Sequence, residues 1–195
     1  GVRSGLGDDW LRIGALKILS DGSMGAGTAA FFEPYADAPA TRGLLLYPEA
    51  ELERLILEAD AAGFQLAVHA IGDRANREVL DIFEATFKAN PAVTDWRWRI
   101  EHAQHLAVSD IPRFGRLGII ASMQGIHATS DAPYVRARLG EERVADGGYV
   151  WQKLMKSGAI ISNGTDVPVE RIDPMASFYA SVSRKTKDGT VFFPD

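Results

Sequence analysis

Five residues in this chain could do chemistry and recur at related positions: Lys17 in LKILSDG, His69 in VHAIGD, His102 in RIEHAQH, His127 in SMQGIHATSD and Asp166 in SNGTDVPV. Imidazoles and carboxylates are the groups that hold metals or move protons near neutral pH. His69 and His102 stand about 33 residues apart, one βα unit, and His102 and Asp166 about 64, two units. The chain has no cysteine, which removes disulfides, thiolate zinc sites and thiol nucleophiles together. A metal here would have to be held by His, Asp, Glu or a modified Lys.

Each of these residues also has a plain structural reading. A lone histidine after an apolar strand is more often a hydrogen-bonded packing residue than a ligand, and Asp166 in Gly164-Thr165-Asp166-Val167-Pro168 could be a turn residue. Lys17, inside a buried strand, could snorkel or pair with a carboxylate such as Asp21. His127 could hydrogen-bond a substrate or cap a loop, and His105, three residues beyond His102, reads as a loop or helix-start residue. Only jointly do His69, His102 and Asp166 suggest a metal-binding or catalytic rim.

The elements that must position them alternate. Strands are expected at Ile13 to Leu19, Gln65 to Ala70, Trp96 to His102, Ile119 to Met123 and Ala159 to Asn163. Helices are expected at Glu49 to Ala62, Arg74 to Ala89, Asp110 to Arg116, Tyr149 to Ser157 and Pro174 to Arg184. Leu52, Leu55, Ile56 and Ala59 have the spacing of an amphipathic helix, closed by Gly63. Strands that each lead into a helix or long loop are the signature of parallel βαβ units. Active sites in such folds lie at the C-terminal strand ends, where His69, His102 and Asp166 fall, with Lys17 near the end of the first strand. Phe31, Phe32 and Tyr35 in the loop Thr28 to Tyr47, and the region Ala132 to Tyr149, are candidates for lining an apolar pocket. Glu101, next to His102, would face the other side of a regular strand.

Composition narrows the partners. Of 195 residues 46% are hydrophobic and 24% charged, and the net charge is -5 with basic residues scattered. No basic stripe suggests nucleic acid and no polybasic run suggests a membrane surface, so a small-molecule substrate is expected. No apolar run approaches the roughly 20 residues of a membrane helix, and no signal-peptide pattern is visible. Gly22-Ser23-Met24-Gly25-Ala26-Gly27 lacks the G-x-G-x-x-G order of a dinucleotide site.

Five segments in order, LKILSDGSMGAGTA, VHAIGDRA, RIEHAQHL, ASMQGIHATSDAPYV and ISNGTDVPVE, resemble the amidohydrolase superfamily, in the amidohydrolase-3 branch that includes N-substituted formamide deformylases. The resemblance implies a (β/α)8 TIM barrel of which this chain covers strands 4 to 8, an incomplete single domain over residues 1–195 without the N-terminal strands or the β-sandwich. It implies a divalent metal, zinc, as one or two ions. Lys17 would be the strand-4 residue, as a carbamate bridging two metals, His69 and His102 the strand-5 and strand-6 ligands, and Asp166 the strand-8 residue. His127 would contact substrate. The implied activity is hydrolysis of a non-peptide carbon–nitrogen amide-type bond by metal-activated water, with Asp166 passing the proton to the leaving amine.

The departures from the pattern are informative. The family's His-x-His pair is absent, because none of His69, His102, His105 and His127 has another histidine at i+2. The chain also stops at Phe193-Pro194-Asp195, ahead of the strands that would finish the sandwich. The alternative expectation is therefore a catalytically incomplete barrel fragment or non-catalytic binding module. Open barrel edges invite association into a homo-oligomer.

Overall fold

The structure is a computed structural model that describes residues 1–186 and 188–192; Phe193-Pro194-Asp195 lie outside the described residues. Five parallel strands form one sheet in sequence order: β1 (Leu16–Leu19), β2 (Leu66–Ala70), β3 (Arg99–His102), β4 (Ile120–Met123) and β5 (Ile161–Asn163). Each of the first four is followed by helical structure that returns the chain to the start of the next, and β5 leads into the last helix. The helices are α1 (Glu49–Ala61), α2 (Asp73–Ala89), α3 (Ile111–Leu117), α4 (Gly125–Asp131), α5 (Val135–Leu139), α6 (Glu141–Gly147), α7 (Trp151–Lys156) and α8 (Pro174–Ser183), with a short 3-10 turn at Val108–Asp110. This is an open, partial TIM barrel: β1 and β5 are the edges.

The sheet's two faces divide the work. Ile18, Val68, Ile100 and Ala121 stand in register across four strands, and all four are buried. They belong to one apolar core with Leu52 and Ile56 of α1, Val79 and Phe83 of α2, Phe114 of α3 and Leu154 of α7. The other face carries Lys17, His69, Glu101 and Ser122, as strand alternation requires. Here the sequence-based reading of Glu101 needs correction. Glu101 is in register with His69 and so shares its face, where it pairs with Arg99. Side chains alternate regularly only as far as Glu101. His102 ends β3 with φ 75°, and Ala103 follows with φ 42°, so the left-handed backbone ends the alternation at His102.

Each expected strand and helix forms, with strands trimmed at their N-terminal ends. The chief difference lies between Gln124 and Gly148, where three short helices occupy a stretch that reads as loop. A helix of five to seven residues shows too few turns for its apolar period to stand out. Val135, Leu139 and Val144 from this stretch, and Tyr149 just after it, are buried in the core, as are Phe31 and Tyr35. Phe31 and Leu139 nonetheless line a small cavity of about 190 Å³, Ala132 and Pro133 line a larger one, and Phe32 is 39% exposed. No helix among the described residues is long and apolar enough to cross a membrane.

Candidate metal centre

The segment after β1 fixes the segment after β2. Asp21 is fully buried, and its carboxylate accepts the backbone N–H groups of Ala30 at 2.9 Å, Ile71 at 3.0 Å and Gly72 at 2.9 Å. The Ser20 hydroxyl donates to the His69 carbonyl at 2.5 Å. Gly72 is required at its position because a Cβ there would lie 1.9 Å from the Ala30 carbonyl oxygen. That carbonyl in turn accepts from Arg74 and Ala75 at the start of α2, whose first N–H groups have no partner inside the helix. Asp21 is thus committed to the backbone and to His69 and is not the partner of Lys17.

This lattice sets the ring of His69. Its Nε2 lies 2.9 Å from the Gly22 carbonyl and 3.3 Å from the Asp21 carboxylate. Both groups can only accept, so Nε2 carries the proton and Nδ1 keeps the lone pair. His102 is anchored through the opposite nitrogen. Its Nδ1 donates to Gln124 Oε1 at 2.7 Å, and the Gln124 amide is oriented by donating to the Ser122 carbonyl at 3.2 Å. Nε2 of His102 is therefore the free lone pair. The two rings meet edge to face with centroids 4.5 Å apart. Burial, followed by the nearby His69, His127 and Lys17, pushes the His102 pKa down to about 2. The imidazole is thus held in the neutral form that a metal requires.

The remaining side chains come from the last two units. His127 sits in α4, whose first N–H groups are satisfied from neighbouring units: Gly125 donates to Asn163 Oδ1 at 3.0 Å and Ile126 to the Ser177 hydroxyl at 3.3 Å. Asp166 follows β5 in the left-handed region, φ 55°, just before a cis Val167–Pro168 bond. Its Oδ2 lies 3.2 Å from His127 Nε2, while Glu170 Oε1 lies 3.4 Å from His127 Nδ1. The ligand atoms of His102, His127 and Asp166 all fall within 4.8 Å of one another. A cavity of about 790 Å³ lies beyond Glu170, with Ile126, Thr129 and Ala132 also among its walls, and His102, His127 and Asp166 do not line it.

The positions expected from sequence are therefore distributed as follows. His102 and Asp166 converge, His69 packs against His102, and His127 joins the ligand group directly. Lys17 lies on the same sheet face, exposed, in register with Ala67 and two residues before Leu19, the register mate of His69. His105 stays outside: its ring is buried between Phe31 and Tyr149, with centroids 5.9 Å and 5.3 Å away. Burial pushes its pKa down to about 3. Gln124 and Glu170 are functional neighbours that the sequence reading does not single out, and Asp21 enters it only as a partner for Lys17. Their one sequence signal is position: Asp21 and Gln124 lie within two residues of the ends of β1 and β4, and Glu170 lies in the connection after β5.

The amidohydrolase family profile matches residues 1–195. This chain belongs to the amidohydrolase family. Protein LONG AFTER FAR-RED 3 of Arabidopsis thaliana is 42% identical over 176 residues, covering 90% of this chain and 30% of that protein. The putative amidohydrolase YtcJ of Bacillus subtilis is 36% identical over 181 residues, 93% of this chain and 33% of its own length. The crystal structure of an uncharacterized metal-dependent hydrolase from Pyrococcus furiosus superposes with a TM-score of 0.83 at 34% identity, covering 98% of this chain and 37% of that one. The chain thus spans about a third of the length of these two relatives.

Proposed function

We propose that this chain carries the metal-holding part of a hydrolase that cleaves a non-peptide carbon–nitrogen amide-type bond in a small molecule. The observation that carries the reading is the convergence of His102, His127 and Asp166 at the C-terminal edge of the sheet, with the His69 ring against His102. Membership of the amidohydrolase family and the likeness to an uncharacterized metal-dependent hydrolase support it.

The donors fit a divalent ion, and their nitrogen and oxygen chemistry suits zinc. His69 through Nδ1, His102 through Nε2 and Asp166 through its carboxylate would hold it. A bound ion would polarise the substrate carbonyl and acidify a water molecule. Asp166, 30% exposed at its side chain, is the carboxylate able to take a proton from that water and deliver it to the departing amine nitrogen. Lys17 could join only as a carbamate, which replaces its positive charge with two oxygen donors; as an ammonium it would repel the ion.

The backbone-anchored His69 and the Gln124-oriented His102 would serve equally in a family member that holds metal without hydrolysis, which is the second reading. Metal analysis combined with an amidase assay on N-substituted formamides and N-acyl amines separates the two. Stoichiometric zinc with turnover supports the hydrolase, zinc without turnover supports the second reading, and a chain that takes up no zinc defeats both.

A further inference from the structure

We infer that Asn163–Gly164 is a site of spontaneous deamidation, and that the hydrogen bonds holding the edge strand β5 set its rate in the folded chain. The modification needs no enzyme and no co-reactant but water. The Gly164 backbone nitrogen attacks the Asn163 side-chain carbonyl carbon, the new C–N bond closes a succinimide ring, and the amide nitrogen leaves as ammonia with the Gly164 proton. Water then opens the ring at either carbonyl. The products are aspartate and isoaspartate, in which the main chain runs through the former side-chain carbons.

The chain has three asparagines, and this one is set apart by its neighbour and its place. Asn90 precedes Pro91, which has no N–H to attack with. Asn76 precedes Arg77 and is buried inside α2. Asn163 is exposed and ends a strand of three residues at the edge of the sheet. Its neighbour is glycine, the residue that hinders the attack least. The fold has no steric need of that glycine: its φ lies outside the left-handed region, and a Cβ there would meet no atom within 4 Å.

Folding withdraws both reacting groups. The Gly164 N–H donates to the Met123 carbonyl at 2.9 Å, continuing the parallel pairing of β4 and β5. The Asn163 amide is held at both ends. Its Oδ1 accepts the Gly125 N–H at 3.0 Å and the Ser177 hydroxyl at 3.3 Å, while Nδ2 donates to Ser181 Oγ at 2.9 Å. Ring closure turns the amide carbon toward the Gly164 nitrogen and breaks these bonds, so the end of β5 must first open from the sheet. An edge strand has a single neighbouring strand to leave. Isoaspartate formed here lengthens the main chain between β5 and Asp166 and displaces the acceptor for the first N–H of α4.

The test is peptide mapping by mass spectrometry of the 195-residue chain, aged at mildly alkaline pH either folded or unfolded in guanidinium chloride. Trypsin cleavage after Lys156 and Arg171 releases Asn163 in one peptide, and an isoaspartyl methyltransferase scores the isoaspartate. In the unfolded chain Asn163 should convert while Asn76 and Asn90 stay intact. Folding should slow the conversion about 10- to 100-fold, the weight of two or three hydrogen bonds. Ser181→Ala frees the Asn163 amide nitrogen, so it should raise the folded rate about 3- to 10-fold and leave the unfolded rate unchanged. Gly164→Ala should slow the reaction in both states and keep the melting temperature of the unmodified chain, because the structure has room for the methyl group. Circular dichroism melts establish that each variant is folded. An Asn163 that stays intact in the unfolded chain or in folded Ser181→Ala would overturn the site. Equal rates in the folded and unfolded chain, or a folded rate that Ser181→Ala leaves unmoved, would overturn the control by β5.

Discussion

The Asp21 carboxylate lies 3.3 Å from Nε2 of His69 while it accepts three backbone N–H groups from Ala30, Ile71 and Gly72. One buried side chain therefore both closes the first βα connection onto the second and sets the tautomer of an imidazole at the rim. Asp21→Ala strands three buried donors, each costing about 1–3 kcal/mol. The expected loss is at least about 3 kcal/mol, read as a lowered urea midpoint. An unchanged midpoint would show that Asp21 is dispensable to the fold.

Gly72 offers a sharper steric test of the same junction. Gly72→Ala drives a methyl group into the Ala30 carbonyl and should cost about 3 kcal/mol through forced separation of the two segments. A melting temperature equal to that of the unmodified chain would mean that the loop yields freely.

Gln124 should matter to the metal and also to the fold, since its loss strands the buried His102 Nδ1–H at a cost of about 1–3 kcal/mol. Gln124→Leu keeps the volume but removes the acceptor for His102 Nδ1, so zinc affinity should fall 10- to 100-fold. Zinc titration against a competing chromophoric chelator reads this directly, and unaltered affinity would mean that His102 is oriented by something else.

Acid sensitivity can be assigned to His105. Its folded-state pKa is depressed to about 3, against about 6.5 when unfolded. The unfolded chain therefore binds the extra proton between these values, and stability falls as pH drops below about 6.5. Between pH 7 and pH 5 this residue should account for about 2 kcal/mol of lost stability. His105→Phe, which keeps a ring beside Phe31 and Tyr149 and carries no unpartnered ring nitrogen, should flatten that part of the profile in pH-dependent urea melts. An identical slope in the variant would refute the assignment.

Much of this architecture can be read from residue order. The alternation of apolar strands and amphipathic helices places His69, His102 and Asp166 at strand ends because that alternation is a local property of the chain. The correct side for His102 does not follow in the same way. A regular strand would give the inner face to Glu101 alone, and only the left-handed turn at His102 and Ala103 departs from that alternation. The roles of Asp21, Gln124 and Glu170 are hidden for a related reason. Their partners stand 48, 22 and 43 residues away, so their roles arise from the docking of separate units and leave no periodic trace. The short helices after β4 are hidden by their length.

Each imidazole of the rim leans on a unit other than its own. His69 is held by the connection after β1, His102 by the residue that follows β4, and His127 by the connection after β5. The ring orientations thus come into being only when successive βα units have docked, which makes them late events in folding. Zinc added during refolding should then be captured at the rate of the final, slowest phase seen by tryptophan fluorescence. The ion would act as a reporter of completed assembly.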